Sequence, residues 1–289
     1  MISQTWFITG ASSGLGAALA RAALRAGHCV AATARDSDRL AALTAEHPGA
    51  VLPLTMDLSR PTEIAAAIAA AEAWGGGLDV LVNNAAMGYL AAVEEGEDDK
   101  IRALFETNVF GVASTIRAAL PGMRARGRGR IINITSTNGV VAMPALGYYS
   151  ASKFALEGLT ESLAEEVAPL GIQVMAVEPG GIRTGIVDRN LRSPPIDVYD
   201  ETAHAIIDLL VNDTSGALAP SDPDRVAEVL VRLATSGDMP QRLSLGADSW
   251  TTITSALDTR RAEYEAWKDV SHSTHFSSAP VSSTSHKRA

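Results

Sequence analysis

The sequence predicts a doubly wound α/β fold, in which helices cover both faces of a parallel β-sheet. Short apolar runs alternate along the chain with longer segments of helical periodicity. This alternation is expected of parallel strands joined by crossover helices. A glycine-rich stretch also stands between the first apolar run and the first helical segment, which is typical of the strand-turn-helix unit that opens such sheets.

The apolar runs predict seven strands, with helices between them. Strands are expected at residues 5–9, 29–34, 51–56, 78–83, 130–135, 172–177 and 242–245. Helices are expected at residues 14–26, 37–46, 61–73, 98–125, 149–168, 222–236 and 250–268. In the strand order 3-2-1-4-5-6 the third strand lies at an edge, and Pro53 is the only proline in a predicted strand. A residue without an N–H group is tolerated at an edge, so sequence and topology agree.

Length and composition indicate one soluble domain over residues 1–269. Of the 289 residues, 46% are hydrophobic and 20% are charged. The formal charge of -9 and the pI near 5.2 argue against a nucleic-acid or anionic-membrane partner. Cys29 is the single cysteine, so neither an internal disulfide nor a metal-binding cysteine cluster is expected, and no metal is predicted. With neither a signal peptide nor a long apolar run, we expect a cytoplasmic protein without a membrane span.

Two segments interrupt the alternation. Residues 183–221 combine Pro194, Pro195 and Pro220 with apolar side chains, and they predict a substrate lid with its own helix. The alternative is a surface helical hairpin without a ligand role. Residues 270–289 are rich in Ser, Thr and His, so they predict a disordered tail in which His272 and His275 bind no metal.

The stretch TGASSGLG, residues 9–16, predicts a dinucleotide site. Glycines there permit a sharp turn and a close approach of the backbone to a pyrophosphate, while the N-terminus of the following helix supplies positive potential. The residues expected to contact the phosphates are Gly10, Ser12, Ser13, Gly14, Leu15 and Gly16. A plain glycine-rich turn is the alternative interpretation.

The end of the second strand predicts which dinucleotide binds. An NAD site usually has an acidic residue here, whereas this chain has Ala34 and Arg35. The small alanine leaves room, and the guanidinium can pair with a 2′-phosphate, so the expected cofactor is NADP(H). Arg35 could instead be a solvated side chain, with the phosphate held at Ser12, Ser13 or Arg39. Asp57 and Leu58 close the third strand, where Asp57 is placed to reach an adenine edge.

Tyr149 and Lys153 form the candidate acid/base pair. Residues four apart share one face of a helix, so the Lys153 ammonium can approach the Tyr149 phenol. A nearby cation lowers the pKa of a phenol from about 10 by roughly 1 to 3 units. Many Tyr-x-x-x-Lys pairs are only exposed helix surface, so the pair needs support elsewhere. The adjacent Tyr148 has Ser152 four residues later and lacks such a partner.

Six ordered motifs now carry a resemblance. They are the turn at 9–16, Asn83–Ala86, Asn108, Ser136, Tyr149 with Lys153, and Pro179–Thr184. Over about residues 4–246 the chain resembles the single-domain branch of the short-chain dehydrogenase/reductase family, which has a Rossmann fold. The pattern around Tyr149, together with Arg35, looks most like the NADP-using hydroxysteroid and retinol dehydrogenases and their bacterial relatives.

The resemblance implies a role for each matched residue. Ser136 would hold the substrate oxygen, Tyr149 would pass the proton, and Lys153 would lower the tyrosine pKa and hold the nicotinamide ribose. Asn108 would hold a water that links Lys153 to solvent; on its own it would be interpreted as a helix-interior amide. The cofactor would also contact Asn84, Ala85, Ala86, Tyr149, Lys153, Pro179, Gly180, Ile182 and Thr184. Ala86 departs from the usual glycine, at a cost of about 1 kcal/mol if its φ is positive.

These expectations combine into an NADP(H)-dependent oxidoreductase that interconverts a ketone or aldehyde with an alcohol, acting on a mainly apolar small molecule. One alternative is a reductase of 3-oxoacyl thioesters or polyketides, for which Arg183, Arg189 and Arg192 could serve a phosphopantetheine carrier. Another is a nucleotide-sensing regulator. A homodimer or homotetramer is also expected, because the helix that carries Tyr149 has a strip of small side chains where a second helix could approach: Ala151, Ala155, Gly158 and Ser162. The alternative is that this strip faces the sheet of its own subunit.

Overall fold

A parallel sheet of seven strands carries the site. The structure is a computed structural model that describes residues 3–185, 189–237 and 239–275. The strands in chain order are β1 (Thr5–Ile8), β2 (Cys29–Ala34), β3 (Val51–Thr55), β4 (Val80–Asn83), β5 (Tyr89–Leu90), β6 (Gly129–Ile134), β7 (Ile172–Pro179), β8 (Leu191–Arg192) and β9 (Arg242–Leu245). The large sheet has the order β3-β2-β1-β4-β6-β7-β9, and each neighbouring pair is parallel. The predicted doubly wound fold is confirmed, and β3 with Pro53 lies at an edge.

Each predicted helical segment contains helix, but several are divided. The helices are α1 (Gly14–Arg25), α2 (Ala41–Glu46), α3 (Pro61–Gly75), α4 (Asp98–Phe105), α5 (Val112–Arg126), α6 (Gly147–Val167), α7 (Ala205–Val211), α8 (Pro223–Ser236), α9 (Ala247–Ala266) and α10 (Lys268–His272). The single helix predicted for residues 98–125 is interrupted by a π-helical turn, Glu106–Gly111, between α4 and α5. No residue type marks such a turn in this segment, so the sequence pattern did not reveal it.

Apolar side chains cover both faces of the sheet. On one face α1 and α8 pack over Trp6 and Ile8 of β1, and on the other α3, α5 and α6 pack over Phe7. All three β1 side chains are fully buried. Because neighbouring residues of a strand point to opposite faces, a strand covered on both sides must be apolar throughout. This burial explains the continuous apolar runs of the sequence.

The chain divides into two units, residues 1–253 and 254–289. The described part of the second unit consists of the end of α9 followed by α10. Disorder was predicted for residues 270–289, but α10 extends to His272, so that prediction was wrong at its start. Side-chain contacts such as Lys268 with Glu265, at 3.1 Å, support a helix that is poor in apolar residues. Residues 276–289 of the predicted tail lie outside the described residues.

The described part of the predicted lid contains short elements of its own. β8 pairs in parallel with β5, and a π-helical turn at Asp200–His204 leads into α7. Ile186, one of the apolar residues on which the lid prediction rested, lies outside the described residues. The pairing of β8 with β5 fixes one end of the lid beside the segment that follows β4.

Glu95 fastens the lid to that segment. Its carboxylate accepts hydrogen bonds from the backbone N–H groups of Ala92 and Ile196, both at 2.7 Å, and lies 2.6 Å from His204 Nε2. The other ring nitrogen of His204 lies 2.7 Å from Asp200. Burial acts to raise the pKa of Glu95, but the hydrogen bonds outweigh it and hold that pKa below its usual value. The hydrogen bonds to Asp200 and Glu95 raise the pKa of His204 and so favour the imidazolium form of the ring, which joins the lid to the loop.

Replacing Glu95 with glutamine should loosen the lid. The amide would place a donor against backbone N–H groups and leave buried polar groups unpaired, at a cost of about 1–3 kcal/mol. We expect faster tryptic cleavage at Arg189 and Arg192 and a lower Tm, by roughly 2–4 °C per kcal/mol. Glu94→Gln is the matched control, because that exposed carboxylate accepts from the Tyr199 hydroxyl and the glutamine carbonyl can accept the same hydrogen bond. Equal cleavage of both variants and wild type would show that Glu95 does not hold the lid.

Candidate active site

The turn between β1 and α1 has the geometry of a phosphate cradle. Gly10 and Gly14 have φ of 67° and 55°, a region that favours glycine. A Cβ added to Gly16 would collide with the Gly10 carbonyl oxygen, so that the helix can approach the turn only with glycine there. Ser13 is the N-cap of α1, which directs the N-terminus of the helix toward the turn.

Thr9 joins this turn to the motif after β4. Its hydroxyl oxygen accepts hydrogen bonds from the backbone N–H groups of Asn84 and Ala85, both at 2.9 Å. The Asn84 amide donates to the Thr9 carbonyl at 2.9 Å, so it holds the turn from within the protein. Among the described non-glycine residues only Ala145 has a positive φ. The alanine at position 86 therefore carries no backbone strain, and the anticipated cost does not arise.

The segment after β7 closes the other side of the turn. A Cβ added to Gly14 would lie 3.0 Å from Thr184 Cβ, so Thr184 stands directly against the cradle. Gly181 donates its N–H to Asp248 at 2.9 Å, and Gly180 leaves the space that this carboxylate fills. Pro179 ends β7, and Ile182 forms a bridge with residue 221. Sequence reasoning missed Asp248, which lies in the first turn of α9 without a motif around it.

At the end of β2, Ala34 is buried and the Arg35 side chain is exposed. Among the described contacts, Arg35 has no hydrogen bond or ion pair within 4 Å, so its guanidinium is available. Burial acts to raise the pKa of Asp57, but hydrogen bonds from Ser59 and the charges of Arg35 and Arg60 lower it below its usual value. Leu58 is buried and belongs to the core.

Ser136 and Tyr149 meet where β6 ends and α6 begins. Ser136 is 8% exposed, its hydroxyl accepts from the Asn138 N–H at 3.1 Å, and a hydrogen bond joins it to Tyr149. The Thr137 hydroxyl lies 2.8 Å from Ser249 Oγ, and Ser249 donates to the Glu178 carbonyl at 2.7 Å. This buried serine, which sequence reasoning also missed, ties the Ser136 turn to β7.

Lys153 lies beneath this pair. It is 2% exposed, its Nζ donates to the Ile134 carbonyl at 2.8 Å, and the same atom lies 5.7 Å from the centre of the Tyr149 ring. Burial lowers the pKa of Lys153 to about 8, with the charge of Glu157 acting in the opposite direction.

The predicted lowering of the Tyr149 pKa is not found in this state. Burial raises the pKa of the phenol, and the hydrogen bond with Ser136 only opposes that effect. The physical reason is that desolvation outweighs the hydrogen bond with Ser136, while the Lys153 ammonium is directed toward the Ile134 carbonyl. A phenol that keeps its proton at neutral pH is suited to donate one.

Asn108 occupies the π-helical turn between α4 and α5. Its amide accepts from the Met87 N–H and donates to the Met87 carbonyl, both at 2.8 Å, and it donates to Ser152 Oγ at 3.1 Å. The side chain thus holds the segment after β4 against the residue preceding Lys153. The predicted water link from Asn108 to solvent stays a prediction.

A second group of charges lies behind Lys153, and sequence reasoning missed it. Arg242 Nε lies 3.7 Å from Glu157 Oε2 and 4.0 Å from Glu178 Oε1, and Arg242 Nη2 lies 2.7 Å from Glu161. Burial raises the pKa of Glu178 to about 7, Glu157 adds to that rise, and Arg242 opposes it.

In the described part of the chain, no group of three His, Cys, Asp or Glu side chains could hold a metal ion. None of the described helices is long and apolar enough to cross a membrane.

A phosphate cradle beside a Ser-Tyr-Lys group defines an oxidoreductase that uses a nicotinamide dinucleotide. A family model described as short chain dehydrogenase matches residues 4–194. The chain belongs to the short-chain dehydrogenase family, and its general reaction is hydride transfer between a nicotinamide cofactor and a carbonyl–alcohol pair.

Two curated relatives and one solved structure show how far the similarity extends. Oxidoreductase BOA17 of Botryotinia fuckeliana is 32% identical over 93% of this chain and 98% of the relative. The 3-ketodihydrosphingosine reductase of Bacteroides thetaiotaomicron is 41% identical over 66% of this chain and 69% of the relative. A short-chain dehydrogenase structure from Streptomyces avermitilis has a TM-score of 0.88 at 38% identity, covering 96% of this chain and 100% of the other.

Two further solved structures contain cofactors. A metagenomic short-chain oxidoreductase in complex with NADP has a TM-score of 0.68 at 31% identity, covering 85% of this chain and 99% of the other. The 3-ketoacyl-(acyl-carrier-protein) reductase of Brucella melitensis, complexed with NADH, has a TM-score of 0.72 at 27% identity, covering 85% and 98%. Similar folds therefore hold either nicotinamide cofactor.

Proposed function

We propose that this protein is an NADP(H)-dependent oxidoreductase that interconverts a ketone or aldehyde with an alcohol on a mainly apolar small molecule. The observation that carries the proposal is the position of Ser136 and Tyr149 over the buried Lys153, with the glycine cradle nearby in the same fold. An NADPH-oxidation screen over ketones, aldehydes and acyl-thioester analogues tests it. Absence of turnover with every carbonyl class would contradict the proposal.

In the proposed mechanism the protein supplies the proton and stabilises the oxygen. Bound NADPH supplies the hydride. The Ser136 hydroxyl donates a hydrogen bond to the substrate oxygen, and Tyr149 transfers its phenolic proton to that oxygen as negative charge develops there. The phenolate left on Tyr149 is stabilised by the Lys153 ammonium, and Asn108 positions the adjoining backbone. Protonation in step with hydride transfer avoids a free alkoxide in a poorly solvated site.

The proposed cofactor contacts follow the cradle. The turn at Gly10, Ser12, Ser13, Gly14, Leu15 and Gly16 would hold the pyrophosphate, with Thr184 closing over it. Arg35 would bind the 2′-phosphate, because its guanidinium is exposed beside a buried alanine. Asp57 would accept from the adenine edge. The nicotinamide end would lie along residues 84–86 and 179–182, next to Tyr149 and Lys153.

The described lid supports an apolar substrate over a carrier-bound one. Arg183 donates to the Gly216 carbonyl at 3.4 Å, and Arg189 donates to Ser13 Oγ at 2.9 Å. Two of the three arginines considered for a phosphopantetheine carrier are therefore used within the protein. The lid residue Ala203 forms a buried apolar cluster with Ala92 and Ala145, against which the lid residues Tyr199 and Ile206 pack.

We also propose a homo-oligomer, a dimer or a tetramer, that works in the cytoplasm. The small residues of α6 are exposed, so the strip does not face its own sheet: Ala151, Ala155, Gly158 and Ser162. A Cβ added to Gly158 would meet no atom within 4 Å, which leaves space for another helix. A monomer in sedimentation at micromolar concentration would exclude the oligomer. The single cysteine fits a reducing compartment.

Tyr149→Phe and Ser136→Ala should each lower turnover by at least about 10²-fold, the scale for losing a positioned general acid or oxyanion donor. Both variants should stay folded and bind cofactor. Steady-state kinetics with the best carbonyl substrate measures the effect. Tyr148→Phe is the control, because that hydroxyl donates to the Val93 carbonyl at 2.6 Å and has no lysine partner. Near-normal turnover of purified Tyr149→Phe would rule out the mechanism.

Arg35→Ala should weaken NADPH roughly 10- to 100-fold and leave NADH nearly unchanged. A charge-assisted hydrogen bond to the 2′-phosphate is worth about 1.5–3 kcal/mol, and about 1.4 kcal/mol corresponds to a factor of ten. Adding Ala34→Asp should reverse the preference, since a carboxylate repels the phosphate and accepts from the ribose hydroxyls. Fluorescence titration measures both affinities. Arg39→Ala is the control. If Arg39→Ala weakens NADPH binding as much as Arg35→Ala does, or if Arg35→Ala weakens NADH and NADPH binding equally, then Arg35 is not the main site of 2′-phosphate recognition.

A further inference from the structure

Glu157 lies one helical turn after Lys153 on α6, and both side chains are buried, at 8% and 2% exposure. Residues four apart share a helix face, so Glu157 continues the face that carries Lys153. A Cβ added to Gly139 would lie 3.0 Å from Glu157 Cγ and 3.2 Å from the Lys153 carbonyl oxygen. Glu157 therefore fills the space between α6 and the turn that carries Ser136.

The carboxylate of Glu157 is incompletely paired. Its Oε1 atom is buried and has no hydrogen-bond partner among the described residues. The neighbouring Thr135 hydroxyl donates to the Val177 carbonyl at 2.6 Å, and Glu157 Oε2 lies 3.7 Å from Arg242 Nε. A buried carboxylate without full hydrogen bonding is costly and depends on nearby positive charge. Here that charge comes from Lys153 and Arg242.

Other charged groups face Glu157 from each packed element. Glu178 on β7 is buried, Arg242 on β9 is half-exposed, and Glu161 lies one turn further along α6 in solvent. Burial raises the pKa of Glu157 and the charge of Glu161 adds to that rise, whereas a hydrogen bond with Thr135 and the charges of Arg242 and Lys153 oppose it. The pKa of Glu178 is about 7, so this carboxyl is mostly ionised near pH 8, where Lys153 titrates. The charge of Glu157 acts to raise the pKa of Lys153 against desolvation, which couples the two groups along the shared helix face.

We propose that Glu157 is a positioning residue for the reaction: its buried carboxylate keeps Lys153 in the ammonium form and so sets the upper pH limit of activity. A negative charge beside an amine favours its protonated form, so removal of the charge must lower the pKa of Lys153. Loss of the ammonium removes the stabilisation of the Tyr149 phenolate. The inference rests on the proposed function for its kinetic consequence, although the titration of Lys153 is measurable without turnover.

The direct test is NMR titration of lysine ¹³Cε signals in cofactor-free protein. The chain has four lysines, and the signal of Lys153 is assigned as the one missing from Lys153→Arg. Wild-type Lys153 should titrate near pH 8. Glu157→Gln should move this midpoint down by about one pH unit. Glu161→Gln, the matched change one turn away at the exposed partner of Arg242, should leave it in place.

Kinetics and a second variant complete the test. The high-pH limb of kcat/KM for carbonyl reduction should move down with the NMR midpoint in Glu157→Gln and stay in place in Glu161→Gln. Glu157→Asp keeps the charge, so its Lys153 midpoint should lie closer to that of wild type than the midpoint in Glu157→Gln does. Glu157→Asp also tests the inference if Glu157→Gln fails to fold. An unchanged midpoint in Glu157→Gln, an equal shift in Glu161→Gln, or loss of the midpoint in Glu157→Asp overturns the inference. Wild-type protein that reduces no carbonyl refutes the proposed function alone, since the NMR midpoints still decide the role of Glu157.

Discussion

A lysine ammonium held out of water at the carboxyl end of the sheet is the constraint on which the site depends. Removing a cation from solvent is costly unless dipoles and opposite charge replace the water. Ile134, the last residue of β6, supplies the carbonyl, and Glu157 supplies the charge. The β6–β7 register, which places Ile134 opposite Val177, thereby fixes the height of Lys153 and of the Tyr149 ring above it.

The features that could be predicted from sequence depend on local backbone physics. Gly10 and Gly14 adopt the positive φ that their turn requires, and the space at Gly16 admits no side chain. Strand positions followed from continuous apolar runs because both faces of the sheet are covered. Pro53 identified an edge because a missing N–H group is tolerated there. In each case one residue, or one short run, contains the whole physical reason.

The features that sequence reasoning missed depend on contacts between distant segments. Arg242 on β9 approaches Glu157 on α6 and Glu178 on β7, three residues with no shared motif or spacing. Asp248 supports Gly181 in the same way. The lowered pKa that the spacing to Lys153 predicts for Tyr149 is not found in this state for a related reason: burial in the folded chain raises that pKa. Burial is a property of the folded chain and has no local signal.

Burial acts on the two members of the acid/base pair in opposite directions. It raises the pKa of the Tyr149 phenol and lowers that of Lys153, so desolvation alone would favour the two neutral forms, phenol and amine. Proton donation to a developing alkoxide requires phenol and ammonium together. That state persists at neutral pH because the Lys153 pKa stays near 8, with the Glu157 charge opposing desolvation. In its proposed role, Glu157 thus contributes to catalysis without touching the reacting atoms, because its charge favours the ammonium form of Lys153.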